Sequence, residues 1–185
     1  PHGRIMGHIE RVAIIGAGNM GSGIAQKSAQ EHFMVEMVDR EQQWVERGES
    51  IIAEFLSEAV ERRIFRPQQV EEIQSRISSV VGVENTSHKT DLVIEAVFED
   101  LEVKAQVFDL LNETCDDSCI FASNTSSLSI DELAERSGRP DRFIGLHFFY
   151  HPAKNRLIEV IPGTKTTQDT IDKVIQYCRT LGKVV

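Results

Sequence analysis

A basic face is missing from this sequence. Its 185 residues carry 20 Lys and Arg against 29 Asp and Glu, a formal net charge of −9. Nucleic acids and anionic membranes attract the opposite sign, so neither is expected as a partner. Long apolar runs are missing too. Nothing approaches the roughly 20 residues of a membrane span, and the opening Pro1-His2-Gly3-Arg4-Ile5-Met6 lacks the apolar stretch of a secretory signal. Cysteine is scarce: Cys115, Cys119 and Cys178 are odd in number, and Cys115-x-x-x-Cys119 has no second pair to complete a zinc site. Reduced thiols in a cytoplasmic compartment are therefore expected, with no metal. The chain also lacks repeats, low-complexity tracts and linkers.

What is present reads as one globular core. Hydrophobic residues make up 41% and charged residues 26%, ordinary values for a soluble domain. Because the chain opens on Pro1, residues 1–6 are expected to be a cloning remnant and residues 7–185 a single domain. Strand and helix signals alternate along it. Strands are expected at 11–15, 33–38, 77–81, 91–97, 120–122, 143–149 and 157–161. Helices are expected at 20–31, 41–64, 67–75, 101–111, 129–137 and 167–181, the fifth of them capped by Ser129 with Glu132 three residues on. This alternation implies an α/β fold, a Rossmann-type doubly wound and mostly parallel sheet with helices on both faces. Residues 183–185 begin a strand that the chain does not finish, so a further domain is expected beyond Val185.

The first chemical motif is Val12-Ala13-Ile14-Ile15-Gly16-Ala17-Gly18-Asn19-Met20-Gly21. A glycine triplet between an expected strand and an expected helix is the setting a dinucleotide fingerprint requires. Gly16 permits the tight turn, Gly18 leaves room for the pyrophosphate, and Gly21 lets helix and strand pack closely. The phosphates would sit on the helix N-terminus. Asp39 closes the second strand, about 20 residues after the glycines. A carboxylate there accepts bonds from the adenosine ribose and repels a 2′-phosphate, which favours NAD over NADP despite the adjacent Arg40.

The second motif lies late in the chain. His147 follows Phe143-Ile144-Gly145-Leu146 at an expected strand end, and Glu159 lies on the next strand. A base that takes a hydroxyl proton while hydride leaves the same carbon should titrate near neutrality, as histidine does, and a carboxylate on its far nitrogen would fix the tautomer. Ser126 sits in the polar turn Ser123-Asn124-Thr125-Ser126-Ser127, where its hydroxyl could meet a substrate oxygen. Taken alone, His147 fits a packed or exposed histidine at least as well. Glu159 fits a surface charge, and Ser126 fits helix capping. His2, His8, His32, His88 and His151 have weaker settings.

Several stretches in order, "VAIIGAGNMGSGIAQ", "DLVIEAVFEDLEVKAQVFDLL", "FASNTSSLSI", "RFIGLHFF" and "LIEVIPG", closely resemble the L-3-hydroxyacyl-CoA dehydrogenase family over nearly the whole chain. The resemblance implies NAD-dependent oxidation of the 3-hydroxyl of an (S)-3-hydroxyacyl-CoA, as in fatty-acid β-oxidation. It implies His147 as base, Glu159 as its orienting carboxylate and Ser126 as a substrate contact. The implied cofactor set is Gly16, Gly18, Asn19, Met20, Gly21, Asp39, Arg40, Ala96, Glu99, Lys104 and Asn124, with Glu99 and Lys104 on the nicotinamide ribose side. The family's second domain is all-helical and carries most of its dimer contact, so a homodimer with an acyl-CoA substrate is expected of the whole protein and little turnover of this chain alone. The family's "HFFNP" is replaced by His147-Phe148-Phe149-Tyr150-His151-Pro152, which puts Tyr150 at the asparagine position and leaves acyl preference open.

Two other functions compete. One is a non-catalytic NAD(H)-binding relative of the crystallin type, for which an intact His147, Glu159 and Ser126 would serve no purpose. The other is a β-hydroxyacid dehydrogenase that uses a lysine from a later helix, for which the chain offers no convincing candidate.

Overall fold

The computed structural model describes residues 8–185. The expected remnant at 1–6, the domain's first residue and His2 lie outside those residues. Seven strands form one sheet: β1 (Arg11–Ile15), β2 (Met34–Asp39), β3 (Ile77–Val81), β4 (Leu92–Glu95), β5 (Ile120–Ser123), β6 (Phe143–Phe148) and β7 (Ile158–Pro162). Their order is β3-β2-β1-β4-β5-β6-β7. All neighbours run parallel except β6 and β7. The helices are α1 (Asn19–Gln30), α2 (Gln42–Glu61), α3 (Pro67–Ser75), α4 (Leu101–Thr114), α5 (Ile130–Arg136) and α6 (Gln168–Thr180). This is a Rossmann-type sheet wound in both directions from β1.

Alternation along the strands builds two cores. Val12 and Ile14 of β1 face a layer with Ile24 of α1, Leu56 of α2 and Tyr177 of α6. Ala13 and Ile15 face the other way, toward Phe108 and Leu111 of α4 and Leu133 of α5. Successive strand side chains point to opposite faces, so an unbroken apolar run is buried on both. Tyr177 reaches through the first layer to share a 2.6 Å hydrogen bond with the Ser28 hydroxyl. That satisfies the polar tip of a fully buried ring.

The expected elements are all present, with several boundaries moved. β4 is shorter than the expected 91–97, because the chain leaves the ladder after Glu95 to form the wall of a cleft. α2 stops at Glu61 rather than residue 64, where Arg63 turns to φ 60° and Ile64 N–H reaches back to the Ala59 carbonyl. α4 runs on to Thr114. Residues 183–185 make only a one-residue parallel bridge, Val184 to Leu157. Short 3-10 turns at Val83–Asn85 and Pro140–Arg142 carry no periodic signal and escaped the sequence reading. β7 returns antiparallel to β6, which sets Glu159 opposite His147.

Candidate active site

The glycine turn begins at the carboxyl end of β1, where strand order reverses. Ligands bind in such sheets at this switch point. Gly16 adopts φ 114°, and a Cβ there would come within 2.7 Å of the Ala96 carbonyl oxygen. Gly21 is more constrained still: a Cβ would sit 1.8 Å from the Gly16 carbonyl oxygen. Gly18 differs, because a Cβ built on it meets nothing within 4 Å. Its open side is the room a pyrophosphate would need. Gly18 is also the N-cap of α1 and offers no side chain to the first helical N–H groups, and no acidic residue lies in that turn. Those donors and the helix dipole favour an anion. Asn19 and Met20 form the first turn itself.

A cleft of about 510 Å³ opens beside the turn. Gly16, Gly18, Asp39, Arg40 and Ala96 line it, together with Trp44, Val83, Val97, Phe98, Val103 and Val107. Asp39 Oδ2 accepts the Ala17 N–H at 2.9 Å, and Oδ1 accepts the Arg40 N–H at 2.7 Å. The carboxylate is thereby fixed at the rim and keeps lone pairs for ribose hydroxyls. The residues present therefore fit an adenine dinucleotide. The apolar walls were missed by sequence reading, because valines and aromatics beside a buried strand look like core.

The other expected site residues gather at the carboxyl ends of β4, β5 and β6. Glu99 follows β4 and binds the turn after β5: Oε1 accepts the Thr125 hydroxyl at 2.7 Å, and Oε2 accepts the Ser126 N–H at 3.0 Å and its hydroxyl at 3.2 Å. Partial burial works against the charged form, but the Ser126 N–H, the Thr125 hydroxyl and the Lys104 charge together hold the Glu99 carboxyl below its ordinary range. Lys104 is buried at 2% exposure. Its Nζ lies 2.6 Å from Glu95 Oε2, 3.2 Å from the Val97 carbonyl oxygen and 3.5 Å from Glu99 Oε1. Two of the three ammonium protons are bonded to Glu95 and the Val97 carbonyl, and Glu99 pairs with the charge at longer range. Asn124 accepts the Phe148 N–H at 2.7 Å and thus ties the turn to the strand that carries His147.

Glu95 was not singled out from sequence. It is fully buried and also accepts the Ser123 hydroxyl at 2.5 Å and the Val97 N–H at 2.8 Å. Burial raises its pKa, opposed by the Lys104 charge and hydrogen bond and by Ser123. The signal for it was a carboxylate inside an apolar strand, which requires a countercharge.

His147 and Glu159 are direct cross-strand partners on β6 and β7. Opposite residues of an antiparallel pair share one face. Nδ1 lies 3.6 Å from Glu159 Oε1, just beyond hydrogen-bond length. Catalytic bonds of this kind commonly tighten in the substrate complex. The His147 ring packs at 4.5 Å from Phe149. It is partly accessible in an otherwise buried strand. His151, by contrast, stacks on Phe55 at 4.7 Å and accepts the Ala153 N–H at 3.1 Å. Burial first, then Lys154 and Lys183, lower its pKa. The three cysteines are free thiols.

Comparison with known proteins places this geometry. The family model described as "3-hydroxyacyl-CoA dehydrogenase, NAD binding domain" matches residues 11–185. The chain is 37% identical over 180 residues to the rat mitochondrial hydroxyacyl-coenzyme A dehydrogenase, covering 95% of this chain and 57% of that protein. It is 38% identical over 174 residues to a Clostridioides difficile 3-hydroxybutyryl-CoA dehydrogenase, covering 94% and 62%. The crystal structure of an (S)-3-hydroxybutyryl-CoA dehydrogenase from Ralstonia eutropha superposes with a TM-score of 0.91 at 35% identity, covering 95% and 62%. The chain thus spans about three fifths of the length of these relatives.

Proposed function

The chain belongs to the 3-hydroxyacyl-CoA dehydrogenase family, and from that premise we propose that the whole protein oxidises the 3-hydroxyl of an (S)-3-hydroxyacyl-CoA to the 3-ketoacyl-CoA, as in fatty-acid β-oxidation. The observation that carries the proposal is the cross-strand pair of His147 and Glu159, with Nδ1 and Oε1 3.6 Å apart, toward the carboxyl end of β6, the same end of the parallel strands as the glycine turn after β1. NAD is the cofactor, and when bound it accepts the hydride from substrate C3.

The protein's own groups do the remaining work. His147 Nε2 takes the proton from the 3-hydroxyl as the C–O bond becomes a carbonyl. Glu159 faces Nδ1 and stabilises the imidazolium that results. The Ser126 hydroxyl donates its one proton to Glu99 in the free chain, and it binds the substrate oxygen by turning that proton from Glu99 to the oxygen. Gly16, Gly18, Asn19, Met20 and Gly21 receive the pyrophosphate, and Asp39 the adenosine ribose. A reducing, cytoplasmic setting is supported by three free thiols. Among the described residues no helix is long and apolar enough to cross a membrane. A homodimer of the whole protein rests on family resemblance, and sedimentation tests it.

The deciding experiment is NADH oxidation with acetoacetyl-CoA by the whole protein and its His147→Ala variant. General acid–base catalysis contributes roughly 10²–10⁴-fold, so the variant should lose that factor in kcat while its NADH affinity stays unchanged. A loss of both together would sink the role given to His147. Tight NADH binding without turnover in the unaltered protein would instead favour a non-catalytic relative.

A further inference from the structure

The base-binding end of the cleft carries two aromatic side chains that glycine-turn chemistry does not require. Trp44 lies in the first turn of α2, on the Asp39 side, and is 36% exposed. Phe98 lies in the β4–α4 loop, lines the same cleft and is 80% exposed. Val83, Val97, Val103 and Val107 line it with them and make it apolar. A phenylalanine left so open to water beside an apolar lining gains stability only when something flat covers it. The polar side chains on these walls are Asp39, Arg40 and Trp44. Arg40 and the indole N–H can only donate, and Asp39 is committed to the Ala17 and Arg40 N–H groups and to ribose. Among the described cleft residues, then, no uncommitted side chain accepts a hydrogen bond from an exocyclic amino group.

We propose that Trp44 and Phe98 clamp the nucleotide base by stacking on its two faces, and that the cleft therefore holds a purine without reading its 6-substituent. The proposal rests on the assignment of this cleft to the adenine end of NAD. A clamp of π-faces is tolerant by nature, because every base presents one. It also places the affinity for the adenosine half on two residues, outside the machinery of His147, Glu159 and Ser126.

Trp44 is the chain's single tryptophan, so its emission reports on this site alone. The 185-residue chain is titrated with ADP-ribose and NADH while Trp44 fluorescence is followed, and with the hypoxanthine analogue of NADH by calorimetry. Both adenine ligands should quench Trp44. Phe98→Ala should weaken ADP-ribose binding roughly 5- to 150-fold, the loss of one stacking face. Phe98→Tyr should restore it. Trp44→Phe should keep the affinity, read by calorimetry, while the optical signal disappears. The hypoxanthine ligand should bind within about threefold of NADH, since no hydrogen bond to the amino group is forfeited. Phe98 is exposed, so its replacement does not threaten the fold. Unchanged ADP-ribose affinity in Phe98→Ala would overturn the clamp while leaving the nucleotide cleft in place. A penalty above about fivefold for hypoxanthine would show that the 6-amino group is read and would overturn the tolerance. Failure of the unaltered chain to bind either adenine ligand would overturn the cleft assignment, and the clamp with it.

Discussion

His147, the proposed base, has few contacts of its own and one well-placed neighbour. It sits on a strand whose other residues are buried, and its partner Glu159 stands half exposed across the ladder. A solvent-exposed carboxylate interacts weakly through space, so the orienting role proposed for Glu159 would rest on geometry more than on charge. Glu159→Gln keeps an acceptor at the same place, and its loss in kcat should therefore fall well short of the roughly 10²–10⁴-fold expected for His147→Ala. Glu159→Ala should lose more than Glu159→Gln. Equal loss in the two variants would remove the orienting role. Ser126 is bound through both its N–H and its hydroxyl to Glu99, so the substrate contact proposed for it would be one hydrogen bond among several. Ser126→Ala should lower kcat/KM about 2- to 12-fold, the worth of one neutral hydrogen bond. Steady-state kinetics at fixed NADH would measure it, and a loss of several hundredfold would mean that Ser126 does more than hold the substrate.

At the scale of elements, β4 and α4 are joined by one buried ion pair. Lys104 and Glu95 are 2% and 0% exposed with 2.6 Å between their charges. Removing one partner of a buried pair leaves the other uncompensated, at a cost of about 3–5 kcal/mol. Lys104→Met should destabilise the fold by that amount in urea. Adding Glu95→Gln should recover part of it, and a double variant less stable than the single would contradict the pairing. The pair was only half legible in the sequence. Glu95 interrupts the apolar "DLVIEAV", and Lys104 lies nine residues on, but only the α4 turn brings them together. The glycine turn was legible because its chemistry is local: a turn, a close approach and a helix start within six residues of chain. The His147–Glu159 pairing was expected from the resemblance, but the residues alone left it open, because it depends on β7 reversing direction, a property of the sheet rather than of either strand. The cleft walls were hidden for another reason. Val97, Val103 and Trp44 obey the same apolar pattern whether they face a core or a ligand.

Over the whole molecule, a cluster of groups whose protonation changes on folding lies around α6 and the strand bridge that follows it. Lys183 is buried, and its ammonium donates to the carbonyls of Pro152 and Asn155 in the loop behind His147. Burial first, then Lys27, lower its pKa from 10.5 to about 8. Between those values the unfolded chain holds a proton that the folded chain has released, so stability rises with pH across that window. Cys178 works in the opposite sense. Burial pushes its thiol from 9.0 to about 12, so above pH 9 the unfolded chain has lost a proton that the folded chain keeps. Tyr177 is raised in the same direction, whereas Cys119 and its hydrogen-bonded neighbour Cys115 are pushed in opposite directions, Cys119 up and Cys115 down. Stability should therefore climb between about pH 8 and 9, level off while Lys183 and Cys178 oppose one another up to 10.5, and fall beyond it. Urea midpoints across that range, under reducing conditions, would show it. Lys183→Met should flatten the climb and leave the fall. A fall in the unaltered chain from pH 8 onward would contradict the burial of Lys183 in the folded state. The loop should survive the climb intact, because a neutral amine still has two N–H groups for two carbonyls. The pH that best stabilises the fold then need not disturb the backbone that follows the base.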